Sequence, residues 1–161
     1  MFIFLKYIHL LSISVWIGAI IFFSFVGAPT IFRLLDRSTA GDVVGAIFPQ
    51  YYTISLVCSF TSLITLILIS HRTSYSFHAK AGILILLFMG ATTLCSTYVV
   101  WPITRQVKQQ IRVETDKENL AQLKMKFSKY HGISMLLNMG TLALGVVLLV
   151  FTLQYIGLQQ P

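Results

Sequence analysis

Carboxylates are scarce in this chain and missing where chemistry in an apolar interior would need them. Five Asp and Glu occur in 161 residues, and they fall at Asp36, Asp42, Glu114, Asp116 and Glu118, outside every long apolar run. Paired carboxylates for acid and base work are therefore excluded from those runs. There is no glycine-rich phosphate loop and no nucleophile motif, which removes hydrolytic catalysis. The two cysteines, Cys58 and Cys95, form no C-x-x-C pair. Both lie in apolar runs, where a structural disulfide of the secreted kind is not expected, so they identify no redox compartment. No internal repeat, low-complexity tract or linker marks a second domain.

What the chain has in quantity is apolar surface, 56% hydrophobic residues against 11% charged. Four charge-free runs stand out: Tyr7 to Ala28, Val43 to Ser70, Ala81 to Thr104, and Tyr130 to the C-terminus. Each exceeds the ~20 residues that a helix needs to cross a bilayer. Backbone groups in lipid must bond to one another, and these runs lack the alternation of a porin strand, so helices are the economical solution. The predicted fold class is an all-α integral membrane protein, a single domain over 1–161. It is a four-helix transmembrane bundle with a cytoplasmic helical extension between helices 3 and 4. The spans fall at about 2–27, 50–70, 80–102 and 130–156.

The first run has Lys6 before it and "VGA", Val26 to Ala28, at its end, a pattern similar to a cleaved signal peptide. Pro29 directly after that site and the length of the run argue that the segment stays attached. The net charge of +7 points to topology rather than to nucleic acid. Lys6, Arg72 and Lys80 lie on one side of the four spans. Arg33, Arg37, Arg105, Lys108, Arg112, Lys117, Lys124, Lys126 and Lys129 lie on the other. The bias makes the first and third connections cytoplasmic and both termini extracytoplasmic, in a plasma or inner membrane. The basic hairpin would also contact anionic lipid.

Between the spans, "GAP" at Gly27 to Pro29 predicts the end of helix 1. A Ser38 or Thr39 cap would start a short amphipathic helix at about 39–48, with Val43, Val44, Ile47 and Phe48 facing membrane or bundle. Pro49 then opens helix 2. The tight connection His71 to Lys80 makes helices 2 and 3 antiparallel neighbours. Helix 3 runs past Trp101 and Pro102 into a helical hairpin at about 103–129, whose second arm begins at a capping box, "TDKE" at Thr115 to Glu118, and continues into helix 4.

Polar side chains inside spans must meet other helices or water. On helix 4, His131, Ser134, Asn138, Thr141 and Gly145 recur at steps of three and four and share a face. Helix 2 carries Ser55, Cys58 or Ser59, Ser62 and Thr65, helix 3 Thr92 and Ser96, and helix 1 His9, Ser12 and Trp16. As packing glue, such groups are worth about 0.6 kcal/mol per interhelical bond. As a functional feature they line a polar pocket or pathway, whose residues would be His9, Trp16, His131, Ser134 and Asn138. Asn138 is the most demanding, with a whole amide to satisfy within a span. A soft-metal site for copper is a second possibility, on Cys58, Cys95, His131, Met135 and Met139. Haem b between imidazoles is a third, on His9 and His78; His131 lies at the far end of its span from His9.

The ordered set His9, Trp16, Gly18, Pro29, Phe32, Ala40, Gly41, Phe48, Pro49, Tyr51, Tyr52, Trp101, Pro102, Phe127, His131, Ser134 and Asn138 resembles the transmembrane-protein-205-like family over essentially the whole chain. The resemblance implies a four-span membrane domain of unknown function. Helix 1 is also loosely similar to copper-resistance D proteins and to the bacterial membrane protoporphyrinogen oxidase. The sequence thus points to a non-enzymatic integral membrane protein that binds or passes a small solute or lipid-derived molecule through a polar bundle interior, with no resident cofactor. The alternatives are a haem- or copper-binding redox or cofactor-handling protein, and a structural subunit of a membrane complex. Expected partners are membrane lipids, a small-molecule ligand, and a homo-oligomer or membrane complex, not nucleic acid.

Overall fold

The structure, a computed structural model, describes residues 2–73 and 77–157. Four long helices account for nearly all of them: α1 (Phe2–Leu34), α2 (Arg37–Thr73), α3 (Phe77–Val113) and α4 (Lys117–Gly157). All four are long and apolar enough to cross a membrane. The tip of the predicted second connection, 74–76, and residues 158–161 lie outside the described residues. Consecutive helices pack on one another, and α1 closes the ring against α4. The chain is an integral membrane protein by this architecture, an up-and-down bundle of the kind short connections enforce.

The interior is built from Ile13, Trp16, Ile20, Ile69, Leu86, Met89 and Leu148, all at most 2% exposed. Large apolar side chains such as Phe4, Phe22, Phe60, Phe88, Leu136 and Leu153 face outward. That arrangement suits hydrocarbon, where packing rather than water exclusion joins helices. Small residues permit the close approaches: a Cβ at Gly145 would lie 2.9 Å from Ile17 Cγ1, and one at Gly90 would lie 2.8 Å from Ser59 Oγ.

The sequence places a stop at Gly27 to Pro29, but α1 passes through it. Residues Phe22–Gly27 widen into a π-helical turn, and the Ala28 N–H donates to the Phe23 carbonyl five residues back. The wider turn relieves the clash that the Pro29 ring would make with the preceding carbonyls. The device recurs in α3, where Ser96–Val100 form a π turn, Trp101 N–H donates to the Ser96 carbonyl, and Pro102 follows.

Residues 39–48 are the first turns of α2 rather than a separate helix, and Pro49 sits inside it. Ala40 and Val44 in this stretch are buried, while Val43 is exposed. The caps also differ from expectation. Asp36, not Ser38 or Thr39, starts α2: its Oδ1 accepts the Ser38 and Thr39 N–H groups at 3.0 and 3.1 Å. Asp116, not Thr115, starts α4, accepting the Asn119 N–H at 2.8 Å. A carboxylate accepts at a helix N-terminus more strongly than a hydroxyl and complements the dipole. At this basic end of the bundle, Lys108 Nζ donates to Asp42 Oδ1 at 2.8 Å and Arg112 donates to the same oxygen, joining α3 to α2. The two cations, Arg112 foremost, hold the exposed Asp42 carboxyl down to about 2.

Candidate functional site

Within the bundle, all four helices contribute to one small cavity. α1 supplies Trp16, α2 supplies Tyr51, Tyr52 and Ser55, α3 supplies Thr93 and Ser96, and α4 supplies Leu137, Asn138 and Thr141. Its free space of about 10 Å³ is close to what one water requires. The polar lining is what makes it a candidate, because seven of the nine side chains, all but Trp16 and Leu137, bear a hydroxyl or amide.

Helix periodicity brings these groups together. Tyr51, Tyr52 and Ser55 share the inner face of α2, and Asn138 and Thr141 that of α4. Tyr51 donates its hydroxyl proton to Asn138 Oδ1, and Asn138 Nδ2 donates to Ser24 Oγ at 3.0 Å, so one amide ties α2, α4 and α1. Ser24 lies in the π turn of α1. The Tyr52 hydroxyl faces Ser134. Thr92 and Thr141 hydroxyls meet at 3.0 Å between α3 and α4. Behind the tyrosines, Phe23 stacks on Tyr51 with centroids 5.1 Å apart, and Phe48 stacks on Tyr52 at 5.5 Å. Those rings fix both phenols.

Of the five pocket residues expected from sequence, Trp16 and Asn138 line the cavity and Ser134 adjoins it through Tyr52. His131 does not reach it. Its ring is exposed and stacks on Phe127, centroids 5.9 Å apart and nearly parallel. His9 is buried two turns of α1 away from Trp16. Its Nδ1 lies 3.0 Å from the Ser62 carbonyl and 3.1 Å from Thr65 Oγ1. Since Thr65 donates its own proton to the Thr61 carbonyl at 2.7 Å, Nδ1 carries the ring proton. Nε2 is then a lone pair, and it is the one buried side-chain nitrogen or oxygen without a partner among the described residues.

The soft-metal candidates are spread out. Cys58 is buried, whereas Cys95, His131 and Met135 are exposed and Met139 is half-buried. Among the described residues no three His, Cys, Asp or Glu side chains gather. Of the haem candidates, His78 lies against Phe77 and Phe151, with centroids 5.8 and 5.9 Å away. Sequence reasoning missed Tyr51 and Tyr52 as site residues. Their signal was their position on the α2 face that also carries Ser55.

Comparison with known proteins follows this geometry. The family described as "Domain of unknown function (DUF4149)" matches residues 11–112, which include Trp16, Tyr51, Tyr52, Ser55, Thr93 and Ser96. An uncharacterized protein of Aquifex aeolicus (strain VF5) is 33% identical over 142 residues, spanning 86% of this chain and 92% of that protein. No solved structure matches the chain. With most of its spans inside the matched region, the chain belongs to the DUF4149 family.

Proposed function

We propose that this protein is a non-enzymatic membrane protein that binds or passes a small polar solute through the interior of its bundle. The observation that carries the proposal is the small polar cavity to which all four helices contribute, beside the Tyr51, Asn138 and Ser24 chain. Polar groups cost several kcal/mol in hydrocarbon when unpaired, and a bundle held by packing alone has no need of a space lined with hydroxyls. The excess of Lys and Arg at the end bearing Asp42 supports a cytoplasmic location for that end and a plasma or inner membrane location for the protein. Its likeness to the transmembrane-protein-205-like family supports the four-span plan and brings no activity with it.

The experiment is a solute screen by thermal unfolding in lipid nanodiscs, wild type against Asn138→Leu. Stabilisation by a small polar solute in the wild type alone is the expected result. Equal responses from both chains would remove the cavity as the site.

A further inference from the structure

Resting on the cavity reading above, we propose that the ligand is one neutral molecule that both donates and accepts hydrogen bonds, a single bound water joining Trp16 of α1 to the hydroxyls of α2 and α3. Most of the lining donors are spent inside the protein. Ser55 gives its proton to the Tyr51 carbonyl at 2.9 Å, Thr93 to the Met89 carbonyl at 2.9 Å, and Thr141 to the Leu137 carbonyl at 2.8 Å. Tyr51 donates to Asn138 Oδ1, one Asn138 N–H goes to Ser24, and the Tyr52 hydroxyl faces Ser134. A hydroxyl that donates to its own helix keeps lone pairs, so Ser55 and Thr93 still present acceptors.

Three donors are left over. The Trp16 indole N–H meets no protein acceptor among the described residues, the Ser96 hydroxyl meets no partner there, and the second Asn138 N–H is uncommitted. Ser96 differs from its neighbours: Thr92, Thr93 and Thr97 all return their protons to carbonyls of α3, whereas Ser96, the first residue of the π turn, does not. Both Trp16, at 1% exposure, and Ser96, at 6%, are buried, and a buried indole N–H ordinarily finds an acceptor. His9 Nε2 is the one partnerless side-chain nitrogen or oxygen sealed from its surroundings among the described residues. The Trp16 nitrogen therefore opens on free space, and the space that Trp16 borders is the cavity.

Donors and acceptors thus face one space, and a molecule that satisfies both must carry both. The same lining excludes charge. No Lys, Arg, His, Asp or Glu borders the cavity, and an ion of either sign would sit inside the membrane without a counter-charge. Size sets the rest: about 10 Å³ of free space admits one heavy atom, and a buried water takes about three polar partners. Trp16, Ser96, Ser55 and Thr93 are available as those partners.

The test is the indole ¹⁵N–¹H resonance of Trp16 in the purified chain in nanodiscs, assigned with Trp101→Phe because the chain has two tryptophans. A position typical of a hydrogen-bonded indole, with a cross-peak to a bound water, is the expected result. Ser96→Ala with Thr93→Val, which removes two of the four partners, is expected to weaken that cross-peak at least tenfold and to move the resonance upfield. If that pair does not fold, Ser96→Ala alone serves, read by the same resonance. An unbonded indole position without a water cross-peak overturns the proposal, as does a cross-peak that the variants leave unchanged. A saturable shift of the resonance by ammonium chloride or potassium acetate, at constant ionic strength, overturns the neutral class. A neutral polar solute that shifts the resonance in wild type but not in Asn138→Leu, with no water cross-peak, overturns the water assignment and leaves the cavity reading standing. No water cross-peak and no solute distinguishing those two chains overturns both.

Discussion

Tyr51 hands its phenolic proton to the amide oxygen of Asn138, 87 residues away along the chain, and thereby couples α2 to α4 at the level where α1 widens. Tyr51→Phe leaves the amide oxygen without that donor while keeping the stack on Phe23. The expected loss is about 1 kcal/mol. A double-mutant cycle with Asn138→Leu should return a coupling energy of about 0.6 to 1.7 kcal/mol. Measured by reversible unfolding in mixed micelles, additive losses would show that the two groups do not interact.

The close approach of α1 and α4 at Gly145 gives a steric prediction. A Cβ there would lie 2.9 and 3.1 Å from Ile17 Cγ1 and Cδ1, with Met89 Cε 3.4 Å away. Gly145→Val should therefore destabilise by about 1 to 3 kcal/mol. Adding Ile17→Ala should recover part of that loss, and the thermal midpoints of the single and double variants decide it.

Asp42 predicts a pH dependence. Its carboxyl is held at about 2 against an ordinary 3.8, through hydrogen bonds from Arg112 and then Lys108. Because the folded value is the lower one, the contribution is complete above about pH 4 and disappears as pH falls from about 4 to about 2. Asp36 shifts in the same direction, chiefly through Thr39, so the comparison must be between chains. Asp42→Asn should lose stability at neutral pH and lie closer to wild type at pH 2. The gap should shrink in high salt, since these side chains are exposed.

His9 offers a test of what a buried, half-satisfied imidazole is for. His9→Leu removes the Nδ1 bond to Ser62 together with the unpartnered Nε2. Deleting both polar atoms from an apolar setting should change stability by less than about 1 kcal/mol. A loss of several kcal/mol would mean that a donor meets Nε2 in the membrane-embedded protein even without added solute.

Much of the fold was legible because charge-free length alone separates spans from connections, and Tyr7 to Ala28 or Ala81 to Thr104 need no finer argument. The errors cluster where a local preference met packing. Pro29 and Pro49 read as boundaries, yet a π turn absorbs the first, and α2 runs on through the second with Ala40 and Val44 buried in the turns before it. Ser38, Thr39 and Thr115 were plausible caps, but a neighbouring carboxylate took the role each time. In the site, the three- and four-residue steps put Asn138 and Thr141 on the inner face. The same steps put His131 there on paper. Periodicity gives an angle around a helix and not the width of its buried face, and His131 is exposed beside Phe127.

The π turns occur in α1 and α3 and not in α2 or α4. Diagonal partners in the ring thus carry articulated joints, while the other diagonal pair stands as two unbroken struts. Any breathing that admits a guest to the middle of this protein will pivot on Phe22–Gly27 and Ser96–Val100, and amide exchange should be fastest at those two collars.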